Sequence, residues 1–454
     1  MGAESVDLRS MRMPFGTSSN RMRPGLLGTA GGSGIDLRNP SSSSRYGDKL
    51  FSKQQHGALP STRRIVSYVF VTALLLLGFL WRRYQLHIEI QAYRRGWIRR
   101  NIDPVPPLSG TCFNPATIAA TDYNTTIAHS PKYVELHAGL SMQVGDDCFA
   151  FASTIPRTVV PGMNLPKRTI FHTYWRDDLK PLGARQTDLL DSILAMQDRE
   201  TSTVILWTNA LTTERLETHP LLCVLLKRYG PIRLIVRSVD KKVLAEGTPM
   251  QGHNLLDLAD QKAWLDGDLV RLLVLWAEGG VWVDFDTIMT GRDMRVLGEH
   301  EWVTQWDCYD KIYQPLNGAM MHFFKHSPYL CEMLYAMAND PPPQKDSTDW
   351  GSRLYYKVFR RLIAEGIAPF KILPFCFTDG VTCRLDNRLP DPFASAHAEK
   401  KWSAQRRGSL ERKAGNVWAV HLHNQWEKGF DPDGWVDRII MSKVRDTIKR
   451  EYPV

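Results

Sequence analysis

Asp284 and Asp286 stand one residue apart at the end of an otherwise apolar run, Glu-Gly-Gly-Val-Trp-Val-Asp-Phe-Asp over 278–286. In a strand, alternate residues share a face, so both carboxylates are expected to point one way and Phe285 the other. Two carboxylates held together repel each other and lose hydration, and a divalent cation relieves that repulsion. Mg²⁺ and Mn²⁺ take oxygen ligands, commonly one or two carboxylates together with substrate phosphates. Open α/β sheets also bind ligands at strand ends. A bare D-x-D is common in solvated turns. A helix, a Gly-Gly pair, an apolar strand and then D-x-D is far more specific. Just upstream, Asp268 and Arg271 sit at i and i+3 on one helix face. As a surface ion pair they would contribute on the order of a few tenths of a kcal/mol. Their place ahead of the D-x-D suggests instead a sugar-hydroxyl acceptor and a cation for a sugar or phosphate.

The elements that must position these groups follow from periodicity. Leu272, Leu275 and Trp276 recur at helical spacing, so residues 267–278 form a helix with an apolar face. Asp266 or Asp268 is expected to cap its start, and Gly279-Gly280 to end it, because glycine accepts the left-handed C-cap conformation. Upstream, apolar strands at Arg168–Trp175, Ser202–Asn209 and Pro231–Val239 alternate with helical segments at Arg185–Gln197 and His219–Gly230. That alternation predicts βα units and a mostly parallel sheet.

The rest of the chain sets limits. Its 454 residues, 43% hydrophobic, allow two or three domains. The net charge of +9 is concentrated in the first hundred residues, and no zinc-finger spacing, RNP motif or basic-aromatic platform accompanies it, so no nucleic-acid partner is expected. Residues 1–64, rich in Gly, Ser and Arg, read as a disordered cytosolic tail. The uncharged run Ile65–Trp81, bracketed by Arg63-Arg64 and Arg82-Arg83, reads as a single membrane anchor at the short end of the spanning range. A signal peptide would begin nearer the N-terminus, and a core helix rarely carries arginine pairs at both ends. Residues 82–160 read as a stem and 161–454 as the catalytic body.

Charge at both ends of the anchor leaves orientation open. The sequon Asn124-Thr125-Thr126, and seven cysteines that all follow the anchor, favour a luminal body carrying a glycan on Asn124. Cys112 with Cys148 and Cys376 with Cys383 are plausible disulfides, although spacing does not fix connectivity, and the odd count leaves at least one free thiol or an intermolecular bond. A short span favours Golgi or ER membranes over thicker ones, and a luminal body after one anchor reads as a single-pass type II protein.

The block Asp266–Asp286 resembles the D-x-x-R…G-G-x-Y-x-D-x-D signature of glycosyltransferase family 32, with Trp282 in place of the usual Tyr. That family includes fungal α-mannosyltransferases and α-1,4-glycosyltransferases. Leu165–Trp175 is similar to the family's opening strand, Val204–Asn209 to its second, Leu316–Leu330 to its Asn-containing segment and Val420–Trp426 to its closing H-x-x-x-x-W. The "GP" segment is represented only by Asp349-Trp350-Gly351, so acceptor-side residues are not assigned. The resemblance implies a GT-A fold, Rossmann-like in its nucleotide-binding half. It also implies Mn²⁺ (or Mg²⁺), a UDP- or GDP-linked sugar donor, a glycan or glycolipid acceptor and retention at the anomeric carbon. By motif match, Asp284 and Asp286 would hold metal and diphosphate, and Asp268 and Arg271 would contact the donor. His172 to Trp175 would lie near the base and Asn317 in the sugar pocket. His421 would sit by the metal or diphosphate, with His423 the competing assignment. No nucleophile stands out. Two rivals are a non-catalytic, membrane-tethered carbohydrate-binding relative and a D-x-D phosphohydrolase. The second lacks the Thr or Val that its motif needs at Ile288.

Overall fold

A computed structural model describes residues 62–84, 90, 92–102, 105–136, 142, 146–209, 218–308, 313–345, 347–383, 387–405 and 410–452. The expected disordered tail lies, up to residue 61, outside the described residues. The chain divides into two compact units, one ending at Arg94 and the other beginning at Arg95. In the first, α1 (Thr62–Arg83) is a 22-residue helix whose side chains are all exposed, and it is long and apolar enough to cross a bilayer.

The second unit is built on a seven-stranded sheet. β1 (Thr169–Trp175), β2 (Ser202–Thr208), β3 (Leu234–Ser238) and β4 (Gly280–Val283) run parallel, in the order β3-β2-β1-β4. A two-stranded antiparallel sheet pairs β5 (Thr287–Met289) with the late strand Ala419–His421. The main sheet continues from β4 through β7 (Leu316–Phe323), which is reversed, to β6 (Trp302–Gln305) and β8 (Lys371–Leu373). The late strand is β9. This mainly parallel α/β architecture is what the alternation of strands and helices in the sequence leads one to expect.

Alternation along the strands feeds two cores. Val204 and Leu206 of β2, with Val281 and Val283 of β4, pack with α2 (Ala184–Met196) and α3 (Pro220–Tyr229) on one face. Ile205, Trp207 and Trp282 pack with α4 (Trp264–Glu278), α5 (Pro328–Asn339) and α6 (Ser352–Ala364) on the other. α4 is buried almost all round rather than on one stripe, since it lies between the sheet and two further helices. Its cap differs from expectation. Asp260, ahead of the helix, accepts the Trp264 N–H at 2.9 Å and the Asp266 N–H at 3.1 Å. Asp266 and Asp268 lie inside the helix, and Asp266 instead takes the Tyr174 hydroxyl at 2.6 Å and the Lys241 ammonium at 2.9 Å. The Gly-Gly stop holds. Gly279 and Gly280 have φ of 68° and 106°, and a Cβ on either would come within 2.5 Å of the Lys325 nitrogen or 2.3 Å of the Ile170 carbonyl.

Much of the expected stem is woven into this unit. Phe149 and Ala152 are fully buried, and the Arg292 guanidinium donates to the carbonyls of Ala152, Ile155 and Asn416. The disulfides follow that packing: Cys112–Cys331, Cys148–Cys376 and Cys308–Cys383, with Cys223 free. This corrects the expected Cys112–Cys148 and Cys376–Cys383 pairs. The segment before β1 crosses the body, so its cysteines meet partners more than two hundred residues away in sequence, 219 and 228.

Candidate active site

β4 ends at Val283, and Asp284-Phe285-Asp286 is a tight turn closed by the Thr287 N–H on the Asp284 carbonyl at 3.1 Å. Strand alternation is therefore not what aligns the two carboxylates. The turn and its neighbours do that. The Asp284 N–H donates to Ala319 O at 2.8 Å, which holds it beside β7. Its Oδ1 accepts from Arg271 Nη2 at 2.8 Å and Trp282 Nε1 at 2.6 Å. Asp286 Oδ2 accepts the Asn424 N–H at 2.5 Å and lies 3.3 Å from His421 Nε2. Ligand atoms of Asp284, Asp286 and His421 all fall within 4.8 Å of one another.

His421 reaches this point because β9 pairs with β5, setting Thr287 opposite His421. The chain then turns through His423 and Asn424 at φ of 53° and 56°, a left-handed conformation that non-glycine residues adopt at a cost. That turn aims the Asn424 N–H at Asp286. Behind His421 sits Asp379, fully buried. Its Oδ2 lies 3.3 Å from His421 Nδ1, and its Oδ1 lies 2.8 Å from His423 Nε2. Asn317 Nδ2 donates to the same carboxylate at 3.4 Å. Burial opposes charge on Asp379 and Asp286, yet the imidazoles hold both carboxyls below the ordinary range. Burial also disfavours a charged His421, but Asp286 and Asp379 on either side push it well above the usual imidazole value.

The donor set fits a divalent cation. Two carboxylates and one imidazole nitrogen converge, and the other imidazole nitrogen faces a buried carboxylate. Metal-ligating histidines are commonly oriented through such a carboxylate, and mixed oxygen and imidazole ligands suit Mn²⁺.

A second cluster forms the adjoining wall. Arg271 Nη1 donates to Asp268 Oδ1 at 2.5 Å and to the Tyr355 hydroxyl at 2.7 Å, while Nη2 holds Asp284. Burial first, and Asp284 second, push the Asp268 carboxyl up to about 6 against the pull of Arg271. Two glycines make room. A Cβ on Gly318 would come within 2.4 Å of Arg271 Nη1, and one on Gly351 within 2.9 Å of Asp268 Oδ2. Gly351 thus gives the Asp-Trp-Gly segment a place beside Asp268. Arg271 is engaged by the chain's own carboxylates and orients Asp284.

Both clusters open on one cleft of about 520 Å³, lined by Trp175, Asp268, Arg271, Asp284, Asp286, Asn317, His421 and His423 among others. Trp175 sits edge-on to Phe285 and Trp426, at 5.5 and 5.4 Å between ring centres. Its indole N–H goes to Lys180 O at 2.7 Å. His172 does not join them, which corrects the expectation of a residue near the base. It is fully buried, with Nε2 2.8 Å from Gly279 O and Nδ1 accepting from Trp207 Nε1 at 3.1 Å. Burial lowers its pKa to about 4, so the ring is a neutral core group. Asn124 is exposed, and its Oδ1 caps the short helix Thr125–His129 through the Ile127 N–H.

Three site residues escape sequence reading. Asp379 precedes a glycine and reads as a turn. Tyr355 reads as part of an amphipathic helix. Asn424 acts through its backbone and carries no side-chain signal beyond its place in His-Leu-His-Asn-Gln-Trp.

Comparison with known proteins fits this geometry. Residues 185–304 match the family described as "Glycosyltransferase sugar-binding region containing DXD motif". No curated protein sequence matches the chain. Among solved structures, the chain is similar to the bifunctional glycosyltransferase WbbM, at 10% identity and a TM-score of 0.35, over 65% of this chain and 51% of WbbM. The chain thus spans about half of WbbM's length. It is also similar to the galactosyltransferase LgtC, solved with donor and acceptor sugar analogues, at 9% identity and a TM-score of 0.30, over 61% of this chain and 96% of that one. PaToxG glycosyltransferase is a further likeness, at 14% identity and a TM-score of 0.29, over 59% and 90%. The matched region holds Asp268, Arg271, Asp284 and Asp286.

Proposed function

We propose that the chain is a metal-dependent, retaining glycosyltransferase that moves a hexosyl or N-acetylhexosaminyl group from a UDP- or GDP-linked donor to a glycan or glycolipid. The observation that carries the metal dependence is the convergence of Asp284, Asp286 and His421 on the cleft, each fixed from behind. A bound Mn²⁺ would supply positive charge against the negative charge that develops on the departing diphosphate. The chain's own part is to hold the ligands in place. Arg271 and Trp282 fix Asp284, Asn424 fixes Asp286, and Asp379 fixes His421. Asp268 offers a carboxylate to donor hydroxyls. Trp175 walls the donor side, Asn317 keeps Asp379 in place near the sugar pocket, and His423 braces the same carboxylate. Retention rests on the family resemblance. Asp268 and Asp284 are bonded to Arg271, and Asp286 faces His421, which suits electrostatic roles over attack on the anomeric carbon.

We further propose that α1 anchors the protein in a Golgi or ER membrane as a single-pass type II protein. The tail would be cytosolic, the residues after the anchor a short stem, the body luminal and Asn124 glycosylated. Three disulfides in the body and an exposed sequon support this reading. The test is a thermal-shift screen of the full chain against nucleotide-sugars with and without Mn²⁺. One donor should raise the melting temperature only with metal, and no metal-dependent shift from any donor would count against the proposal.

A further inference from the structure

His421 belongs to two groups whose geometry suits a cation. Asp284, Asp286 and His421 form the first. Asp379, His421 and His423 form the second, and their ligand atoms also lie within 4.8 Å of one another. The two groups use opposite nitrogens of one ring: Nε2 faces Asp286 Oδ2 at 3.3 Å, and Nδ1 faces Asp379 Oδ2 at 3.3 Å. The other oxygen of Asp379 lies 2.8 Å from His423 Nε2, and the two imidazole centres stand 4.1 Å apart. Bonds of about 2.0–2.2 Å at tetrahedral angles set neighbouring zinc ligands roughly 3.3 Å apart, so these separations suit Zn²⁺ with little movement. Asp379 is buried, whereas His423 is partly exposed on the cleft, which leaves an entry path and a fourth position for water. Asn317 walls this group without offering an oxygen, because its Oδ1 accepts the Ala319 N–H at 2.9 Å.

The two donor sets differ in kind. The first offers two carboxylates and one imidazole, an oxygen-rich set of the sort that Mn²⁺ takes together with phosphates. The second offers two imidazoles and one carboxylate, a set that suits Zn²⁺. Resting on the metal-dependent reading above, we infer that Asp379, His421 and His423 form a second, zinc-binding site whose occupation excludes Mn²⁺ from the first. The exclusion follows from the shared ring. A neutral imidazole carries one lone pair and one N–H. Zinc on Nδ1 leaves the hydrogen on Nε2, which then donates to Asp286 and has no lone pair for Mn²⁺. Mn²⁺ on Nε2 leaves the hydrogen on Nδ1, which donates to Asp379, and the zinc site loses one of its ligands. His421 therefore serves one ion at a time, and Zn²⁺ acts as an inhibitor that holds a metal ligand of the cleft from behind.

The experiment uses the full chain in detergent, free of donor. Free Mn²⁺ is read by electron spin resonance, and Zn²⁺ uptake by calorimetry. One equivalent of Zn²⁺ should raise the apparent Mn²⁺ Kd of the wild type roughly tenfold or more, since nitrogen-rich sites hold zinc more tightly than manganese. His423→Asn removes one zinc ligand, and asparagine tolerates the left-handed backbone at φ 53°. In that variant the same Zn²⁺ should raise the Mn²⁺ Kd by less than about threefold. Asp284 is bonded to Arg271 and Trp282 and lies outside the second group. Asp284→Asn should therefore lose Mn²⁺ binding and keep Zn²⁺ affinity within about threefold of the wild type. An equal rise in wild type and His423→Asn would place zinc at the D-x-D and overturn the inference, as would an Asp284→Asn variant that loses Zn²⁺ together with Mn²⁺. Zinc that leaves wild-type Mn²⁺ affinity unchanged overturns it as well. Any of these results with Mn²⁺-dependent donor binding intact leaves the transferase reading standing. A wild type that binds no Mn²⁺ would sink both.

Discussion

On one side of Arg271 stand Asp268 and Tyr355. On the other stand Asp284, then Asp286 and His421. The first group is closed: one carboxylate, one guanidinium and one hydroxyl bond to one another, under two glycines that leave no space for a Cβ. The second is open. Asp284 and Asp286 present oxygens to a cleft, and each is held only from behind. Both groups are largely buried, both hold aspartate carboxylates, and they share one arginine. Burial and charge therefore do not separate a positioning cluster from a metal site. What separates them is whether the charges are satisfied within the chain.

The largest expected effect breaks the shared member. Arg271→Met leaves Asp268 and Asp284 without their cation, so stability should fall by roughly 3–5 kcal/mol, the scale for breaking a buried pair. Denaturant titration checks this, and a loss under about 1 kcal/mol would mean that the two clusters are not joined through Arg271. Next is the group behind the metal site. Asp379→Asn keeps size but removes the carboxylate that orients His421. Mn²⁺ affinity should drop about 10- to 100-fold, as for other partners of ligating histidines. Titration by electron spin resonance reads that drop, and unchanged affinity would leave Asp379 a core residue only.

Those two residues also show what the sequence could reveal. The strands β1 to β3, the helix α4, its Gly-Gly stop and the D-x-D are local patterns, and periodicity or a fixed spacing finds each. The closed cluster was half visible, because Asp268 and Arg271 are one turn apart, while Tyr355 comes from a helix 84 residues on. The open cluster was visible at its acids, and its histidine came through the family resemblance. Asp379 was not visible, since it meets His421 only because one chain segment passes behind another. His172 misled for the converse reason. It lies in a strand that belongs to the site, but its side chain turns into the sheet core toward Trp207. The cysteines failed likewise, because sequence neighbours were not spatial neighbours.

A smaller effect separates the two imidazoles. His421→Ala should weaken Mn²⁺-dependent nucleotide-sugar binding more than His423→Ala, because His421 Nε2 faces Asp286 and His423 faces Asp379. The reverse order would move the ligand to His423. pH sharpens this further. The raised His421 pKa makes a stabilising contribution in the metal-free protein that is full below about pH 6.5 and lost as pH rises through the raised value. Melting curves of metal-free protein should show that alkaline loss, and His421→Asn should remove it. The smallest effect is the packing control. Phe285→Leu, between the two acids, should cost roughly 1 kcal/mol through the Trp175 contact and leave metal dependence intact.

The direct test of the open cluster is calorimetric titration of Mn²⁺ into the wild type, Asp284→Asn and Asp286→Asn, each with a melting curve. Each variant swaps a carboxylate for an amide of the same shape, so packing is kept. The wild type should bind one Mn²⁺. Both variants should stay folded, with a metal-free melting temperature lowered by the loss of the Arg271 or His421 partner, and should lose most of that affinity and at least about two orders of magnitude of transfer, about 3 kcal/mol of transition-state stabilisation. Variants that unfold yet keep wild-type Mn²⁺ affinity per folded molecule would make the D-x-D a structural pair and contradict the account.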